Sequence, residues 1–130
     1  MGKSLIDTNV VVDYLGRKLP LPGMRFINRE LRKGIQVSII TKIELFSFNT
    51  AQEEEAIIKS FIGGMEIIRL DDEIAELAVR VRKNHSIKVA DAIIAATALS
   101  SNLVLITRNI RDFKPIPELN LINPWIFIEK

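Results

Sequence analysis

Lys3-Ser4-Leu5-Ile6-Asp7-Thr8-Asn9-Val10-Val11-Val12-Asp13-Tyr14-Leu15 sets the pattern that the rest of the chain repeats. Leu5-Ile6, with Lys3-Ser4 before it, reads as a short strand. Asn9 to Leu15 then takes up helical spacing. An apolar strand thus hands over to a helix through a few polar residues. Further along, Leu19-Pro20-Leu21-Pro22-Gly23 breaks the helical pattern, and Phe26, Ile27 and Leu31 form a second helical stripe that ends near Gly34. Ile35 to Ile40 reads as a second strand, after which Thr41 opens another helix. Gln52 to Ile62 gives a further helix closed by Gly63-Gly64, and Glu66 to Leu70 a third strand.

The second half continues the alternation. Asp71-Asp72 caps a helix whose Ile74, Leu77, Ala78 and Val81 share one face. Val89 to Leu99 is small or apolar almost all round, which predicts a buried helix. Leu103 to Thr107 is a fourth strand and Leu119 to Ile122 a fifth, before Asn123-Pro124. Strands separated by helices require crossover connections. The predicted fold class is therefore α/β, with a mainly parallel central sheet of four to five strands flanked by helices. No internal repeat, low-complexity tract or long linker divides the chain, so residues 1–130 read as a single domain.

Composition narrows the chemistry. The chain has 130 residues, 18 Lys+Arg, 16 Asp+Glu, one His and no Cys, with 48% hydrophobic and 26% charged residues. These values exclude a collagenous, disordered or disulfide-built protein. Without cysteine there is no thiolate zinc site and no cysteine nucleophile. A single His makes a His-rich metal site poorly supported. The formal charge of +2 hides a pattern, because residues 1–35 carry a balance of +4, residues 36–76 one of −6 and residues 77–130 one of +4. Basic flanks beside carboxylates are one way to attract a phosphate polymer while holding a cation. Glu53, Glu54 and Glu55 read as a solvated helix face. The longest mostly apolar run, Ala92 to Ile106, is interrupted by Ser100, Ser101 and Asn102. It falls short of the ~20 residues a membrane span needs. The start, Met-Gly-Lys-Ser-Leu-Ile, carries no secretory pattern. The expectation is a cytoplasmic protein with no membrane partner.

In parallel folds, sites lie beyond the carboxyl ends of the strands. There the chain places Asp7-Thr8-Asn9, Thr41 with Glu44, Asp91 at the start of the buried helix, and Thr107-Arg108-Asn109 with Asp112. Carboxylates converging on one rim repel one another unless a cation neutralises them. Oxygen donors without His or Cys suit Mg²⁺, with Mn²⁺ also compatible. Such a site can polarise a phosphodiester and activate water.

Each residue also has an ordinary structural reading. Asp7 suits a helix cap, and Thr41-Lys42-Ile43-Glu44 fits a capping box. Asp91, within Val-Ala-Asp-Ala-Ile-Ile-Ala-Ala, is expected as a buried carboxylate in need of a partner or metal. Asn9 and Asn109 are common in turns. Asp13, Asp71 and Asp72 read as surface or capping groups, His85 as a helix-end residue and Trp125 as packing. Arg17, Lys18, Arg29, Lys33, Arg108 and Arg111 are candidates for gripping a phosphate backbone.

The segments Leu-Ile-Asp-Thr-Asn-Val, Thr-Lys-Ile-Glu-Leu and Val-Ala-Asp-Ala-Ile-Ile-Ala-Ala together resemble PIN-domain ribonucleases. Leu-Ile-Thr-Arg-Asn-Ile-Arg-Asp-Phe and the final Asn-Pro-Trp are similar to the VapC-type toxins of that family. The resemblance implies a three-layer PIN-like fold. It implies an Mg²⁺-dependent endoribonuclease, with Asp7, Glu44 and Asp91 as the acidic cluster and Asp7 with Asp91 as the minimal metal pair. Asn9 matches a residue that orients the cluster, and Thr107 a hydroxyl near the metal. Many members have a fourth acid where this chain has Asn109, and Asp112 is the candidate for the missing charge. The partners implied are an RNA substrate, a cognate VapB-type antitoxin and a second copy of the chain in a homodimer. The amide at 109 motivates an alternative, a PIN-fold module that binds RNA or protein without cutting. A receiver or haloacid-dehalogenase-like phosphatase also places an Asp after its first strand. The phosphatase needs Asp-x-Asp, and position 9 is Asn. The receiver needs a Lys after its late strands, where Thr107-Arg108-Asn109 stands.

Overall fold

Leu5 and Leu105 point to one face of a sheet, while Ile6 and Ile106 point to the other, as successive residues of a strand must. All four are fully buried, so the sheet is covered on both faces. The computed structural model describes residues 3–128. Its strands are β1 (Ser4–Ile6), β2 (Ile35–Ser38), β3 (Glu66–Ile68), β4 (Val104–Ile106) and β5 (Leu121–Ile122), in the spatial order β3-β2-β1-β4-β5. Every neighbouring pair is parallel. The expected parallel α/β sheet is present, with five strands.

One face packs on α5 (Asp72–Asn84) and α6 (Val89–Ser100) through Ile74, Ala78, Val81, Ile94 and Ala95. Ala92, Ala95, Ala96 and Ala98 have little or no exposed surface, so α6 lies close against both α5 and the sheet. The opposite face packs on α1 (Thr8–Leu15), α2 (Leu21–Lys33), α3 (Ile39–Phe46) and α4 (Gln52–Gly63) through Val10, Val11, Phe26, Ile27, Leu45 and Ile62. A short α7 (Ile110–Phe113) follows β4, and a 3₁₀ turn, Pro124–Ile126, follows β5. The result is three layers. No described helix is long and apolar enough to cross a membrane.

Strand order locates the site. The chain moves from β1 outward to β2 and β3, then returns to lay β4 on the other side of β1. The crevice between β1 and β4 is therefore the point where the winding reverses, and ligands bind at the carboxyl end of such a crevice. The residues leaving the two strands there are Asp7 and Thr107. Asp7 N–H still donates to Ile106 O at 2.9 Å, holding the two exits together.

Several boundaries differ from the sequence reading. The strand expected to reach Ile40 ends at Ser38. Ser38 Oγ accepts from Ile40 N–H at 3.0 Å, so Ser38 caps α3 and the two isoleucines begin a helix. Thr41 therefore lies inside α3, and its capping box with Glu44 does not form. The Leu19–Gly23 break is shorter than expected: Pro20 is the N-cap of α2, and Leu21, Pro22 and Gly23 form its first turn. Gly23 is needed there because a Cβ would meet Pro124 O at 2.1 Å. Strands β3, β4 and β5 are each trimmed at the ends relative to the sequence reading.

Candidate active site

Asp7 is where β1 becomes α1, and its carboxylate is held from both sides. Oδ1 accepts from Thr8 N–H at 2.8 Å, and Oδ2 accepts from the Thr107 hydroxyl at 2.7 Å. The capping role expected of Asp7 is thus real, yet it leaves lone pairs on both oxygens. Thr107 is fully buried behind Asp7, and its Oγ1 also accepts from Asn109 N–H at 3.0 Å. Burial pushes the Asp7 carboxyl up from 3.8 to about 6. The Thr107 and Thr8 hydrogen bonds oppose that rise, and the charges of Asp91 and Glu44 add to it.

Glu44 projects from α3. With its backbone role taken over by Ser38, its Oε1 accepts instead from the Thr8 hydroxyl at 2.5 Å. Thr8 thereby ties the first acid's segment to the second acid. Asp91 sits in the first turn of α6, where Lys88 is the N-cap residue. Asp91 is half-buried rather than buried, because the start of α6 opens toward the crevice. Its carboxyl is raised by burial first, then by Glu44 and Asp112, with Lys88 opposing.

Asp7, Glu44 and Asp91 line one cavity of about 540 Å³, together with Thr8, Asn9, Asp13, Arg108 and Asn109. Residues 37 and 84 positions apart from Asp7 are therefore brought to one place by strand order. Asn9 Oδ1 accepts from Arg108 N–H at 3.2 Å, fastening the β4–α7 loop to α1. Asn109 Nδ2 donates to Asp112 Oδ2 at 3.0 Å. Asp112 is exposed and outside the cavity lining, although its charge is felt at Asp91.

Asp13 departs most from its expected surface or capping role. It is only 4% exposed. Its Oδ2 accepts from Trp125 Nε1 at 2.6 Å and stands 3.1 Å from Arg108 Nη1. Trp125, expected as packing, also supplies a hydrogen bond from its indole. An apolar residue six positions beyond Asp7 would have been unremarkable, so a charge among Val10, Val11 and Val12 was the available signal. Of the six basic candidates, Arg108 lines the acidic cavity. Lys18 lines a neighbouring groove, Lys33 pairs with buried Glu30 at 3.0 Å, and Arg29 lies over the Phe127 ring at 5.9 Å. Arg17 and Arg111 are exposed.

Among the described residues no three His, Asp or Glu side chains form a ready-made metal-binding group. Glu44 lines the cavity with its Oε1 accepting from the Thr8 hydroxyl. The donor set nevertheless suits a hard cation, since Mg²⁺ is usually held by one or two carboxylates and keeps several waters. Asp7 and Asp91 both line the cavity, and the Asp7 carboxyl is raised mainly by its burial, with the charges of Asp91 and Glu44 adding to the rise. The rim is apolar: Val12, Ile43 and Phe48 line the cavity while 38%, 56% and 45% exposed. Val12 and Phe48 continue into a groove of about 410 Å³ lined also by Leu15, Leu45, Ile57 and Ile58.

Residues 4–119 match the PIN domain family. The chain is 30% identical over 127 residues to "Ribonuclease VapC1" of Methanocaldococcus jannaschii, covering 92% of this chain and 85% of that protein. It is 31% identical over 137 residues to the "tRNA(fMet)-specific endonuclease VapC" of Salmonella typhimurium, covering 96% and 99%. Among solved structures, DNA-bound VapBC from Salmonella typhimurium superposes with a TM-score of 0.82 at 25% identity, covering 95% of this chain and 99% of that one. A toxin–antitoxin complex from Klebsiella pneumoniae gives 0.75 at 31% identity, covering 94% and 98%. With fold, acid order and whole-length similarity in agreement, this chain belongs to the PIN-domain family and to its VapC type.

Proposed function

We propose that this protein is an Mg²⁺-dependent endoribonuclease, the toxin of a VapBC toxin–antitoxin pair. The observation that carries the reading is the convergence of Asp7, Glu44 and Asp91 on one cavity at the carboxyl ends of β1 and β4. The named activities of its VapC relatives support the reaction class. In this reading Asp7 and Asp91 would hold the ion, with Glu44 as a further ligand or acting through water, and Mn²⁺ as an acceptable substitute. Bound there, Mg²⁺ supplies charge neutralisation, polarisation of a phosphate oxygen and acidification of water.

The chain's own residues supply orientation. Thr107 and the Thr8 N–H fix the plane of the Asp7 carboxylate at the cavity wall. The Thr8 hydroxyl sets Glu44 toward the same space. Asn109 tethers Asp112 near Asp91 without adding a charge inside the cavity, which favours a single firmly held ion.

The partner follows from the rim. Exposed Ile43, Phe48 and Val12, continuing into the adjoining groove, form an apolar track that ends at the acids. A VapB-type segment with apolar side chains and a terminal cation fits that track, in keeping with the toxin–antitoxin complexes among the structural relatives. The homodimer rests on the family resemblance, and sedimentation velocity reads it. The activity is tested by incubating purified protein with structured RNA in Mg²⁺ and in EDTA, beside Asp7→Asn and Asp91→Asn. Cleavage in Mg²⁺ that EDTA and both substitutions abolish is expected. Equal cleavage by all three proteins would remove the proposal.

A further inference from the structure

We infer that Arg108 is a substrate-contacting arginine of this site, gripping the RNA phosphate, and that Asp13 is the positioning residue that aims it. The inference rests on the ribonuclease reading above and adds a role to it.

Asp13 is a fourth carboxylate in the acidic cavity, but its charge is already committed. Oδ2 takes the Trp125 indole N–H at 2.6 Å and lies 3.1 Å from Arg108 Nη1, which also reaches Oδ1 at 3.4 Å. Asp13 therefore does not join Asp7, Glu44 and Asp91 as a free acid. It serves as an anchor for a cation. Arg108 is held at both ends, its backbone N–H by Asn9 Oδ1 and its guanidinium by Asp13.

Stability alone accounts poorly for this arrangement. The Arg108 side chain is 52% exposed, and ion pairs with an exposed partner contribute little. The carboxylate side is 6% exposed, so it has given up most of its hydration for that partner. What the arrangement does achieve is a guanidinium fixed at the lip of the cavity. Its contact with Asp13 uses Nη1, and a guanidinium has five N–H donors in a fork that matches phosphate oxygens. Besides Asp13, three carboxylates line the cavity, and a phosphodiester entering it is repelled by them. A fixed cation on the same wall offsets that repulsion and orients the phosphate toward Asp7 and Asp91. Of the basic candidates, Arg108 is the one that lines this cavity.

The test uses the whole chain and a fluorescein-labelled single-stranded RNA of mixed sequence. Binding is followed by anisotropy in EDTA, across a salt series, and Mn²⁺ binding is measured separately. Arg108→Ala is expected to weaken RNA binding about tenfold at low salt and to flatten the salt slope by about 0.7, the value for one phosphate contact on a single strand. Its Mn²⁺ affinity should match wild type. Arg108→Lys should recover the slope but not the cleavage rate, because a point charge lacks the fork. Asp13→Asn keeps an acceptor for Trp125 while releasing the guanidinium. Its expected signature is a lower kcat at nearly unchanged KM. If Arg108→Ala does not fold, Arg108→Gln carries the binding measurement. Wild-type RNA affinity and salt slope without the guanidinium would overturn the inference, as would wild-type kcat in Asp13→Asn. If the wild-type protein binds RNA through Arg108 but cuts none, the ribonuclease reading fails and the phosphate contact stands.

Discussion

The Thr107 hydroxyl donates to Asp7 Oδ2 at 2.7 Å, joining residues 100 positions apart across the crevice between β4 and β1. That bond lowers the affinity of Asp7 for a proton, against a burial effect that raises it. Thr107→Val preserves shape and removes the donor. The buried Oδ2 then loses its partner, which costs about 1–3 kcal/mol. The Asp7 carboxyl should rise further above its value of about 6. The expected outcome is a lower denaturation midpoint and a pH–rate profile whose acid limb moves to higher pH.

Asp7 itself makes stability depend on pH in a defined direction. Its carboxyl rises from 3.8 in the unfolded chain to about 6 in the fold, so the folded protein binds that proton more tightly. The contribution to stability is full below pH 3.8 and is lost as pH rises through 6. At neutral pH without metal, Asp7 thus destabilises the fold by roughly 3 kcal/mol at most, at 1.36 kcal/mol per unit. Asp7→Asn should therefore be more stable than wild type at pH 7.5 in EDTA, and the advantage should vanish near pH 4. Urea melts at the two pH values check this. Added Mg²⁺ should stabilise wild type at pH 7.5 and leave Asp7→Asn unchanged.

Gly23 lies where α2 meets the 3₁₀ turn at Pro124. An added Cβ would stand 2.1 Å from the Pro124 carbonyl oxygen, and backbone on both sides leaves little room to yield. Gly23→Ala should destabilise by about 1–3 kcal/mol, despite the better helix propensity of alanine. The same displacement would loosen the stack of Phe26 on Phe127 at 4.5 Å and the reach of Trp125 to Asp13. Urea denaturation with tryptophan fluorescence reads both effects.

Ser38 starts the helix that carries Glu44. Ser38→Ala removes the acceptor for Ile40 N–H and should cost about 1 kcal/mol. A cap at Thr41 instead would leave Ser38→Ala close to neutral, and chemical denaturation separates the two.

The alternation of strand and helix, the parallel sheet and the acids at the strand ends were legible because each rests on local pattern. Leu5-Ile6-Asp7 shows a strand ending in a carboxylate without knowledge of any other residue. Ile39-Ile40 misled because β-branched residues mark strands by propensity, while one serine hydroxyl two positions before Ile40 decides otherwise. Asp13 was illegible for a different reason. Its partners lie 95 and 112 residues away, so its burial depends on β5 and the 3₁₀ turn having already formed. The apolar neighbours of Asp91 predict burial, but the first turn of α6 faces the crevice and leaves it half-buried.

The proposed site holds a divalent cation between Asp7 and Asp91. Titration with Mn²⁺, following the free ion by electron paramagnetic resonance at pH 7.5, reads it directly. One site in the wild-type protein that is lost in both Asp7→Asn and Asp91→Asn is the expected result. Undiminished binding in the two variants, or none in wild type at millimolar Mn²⁺, would contradict it.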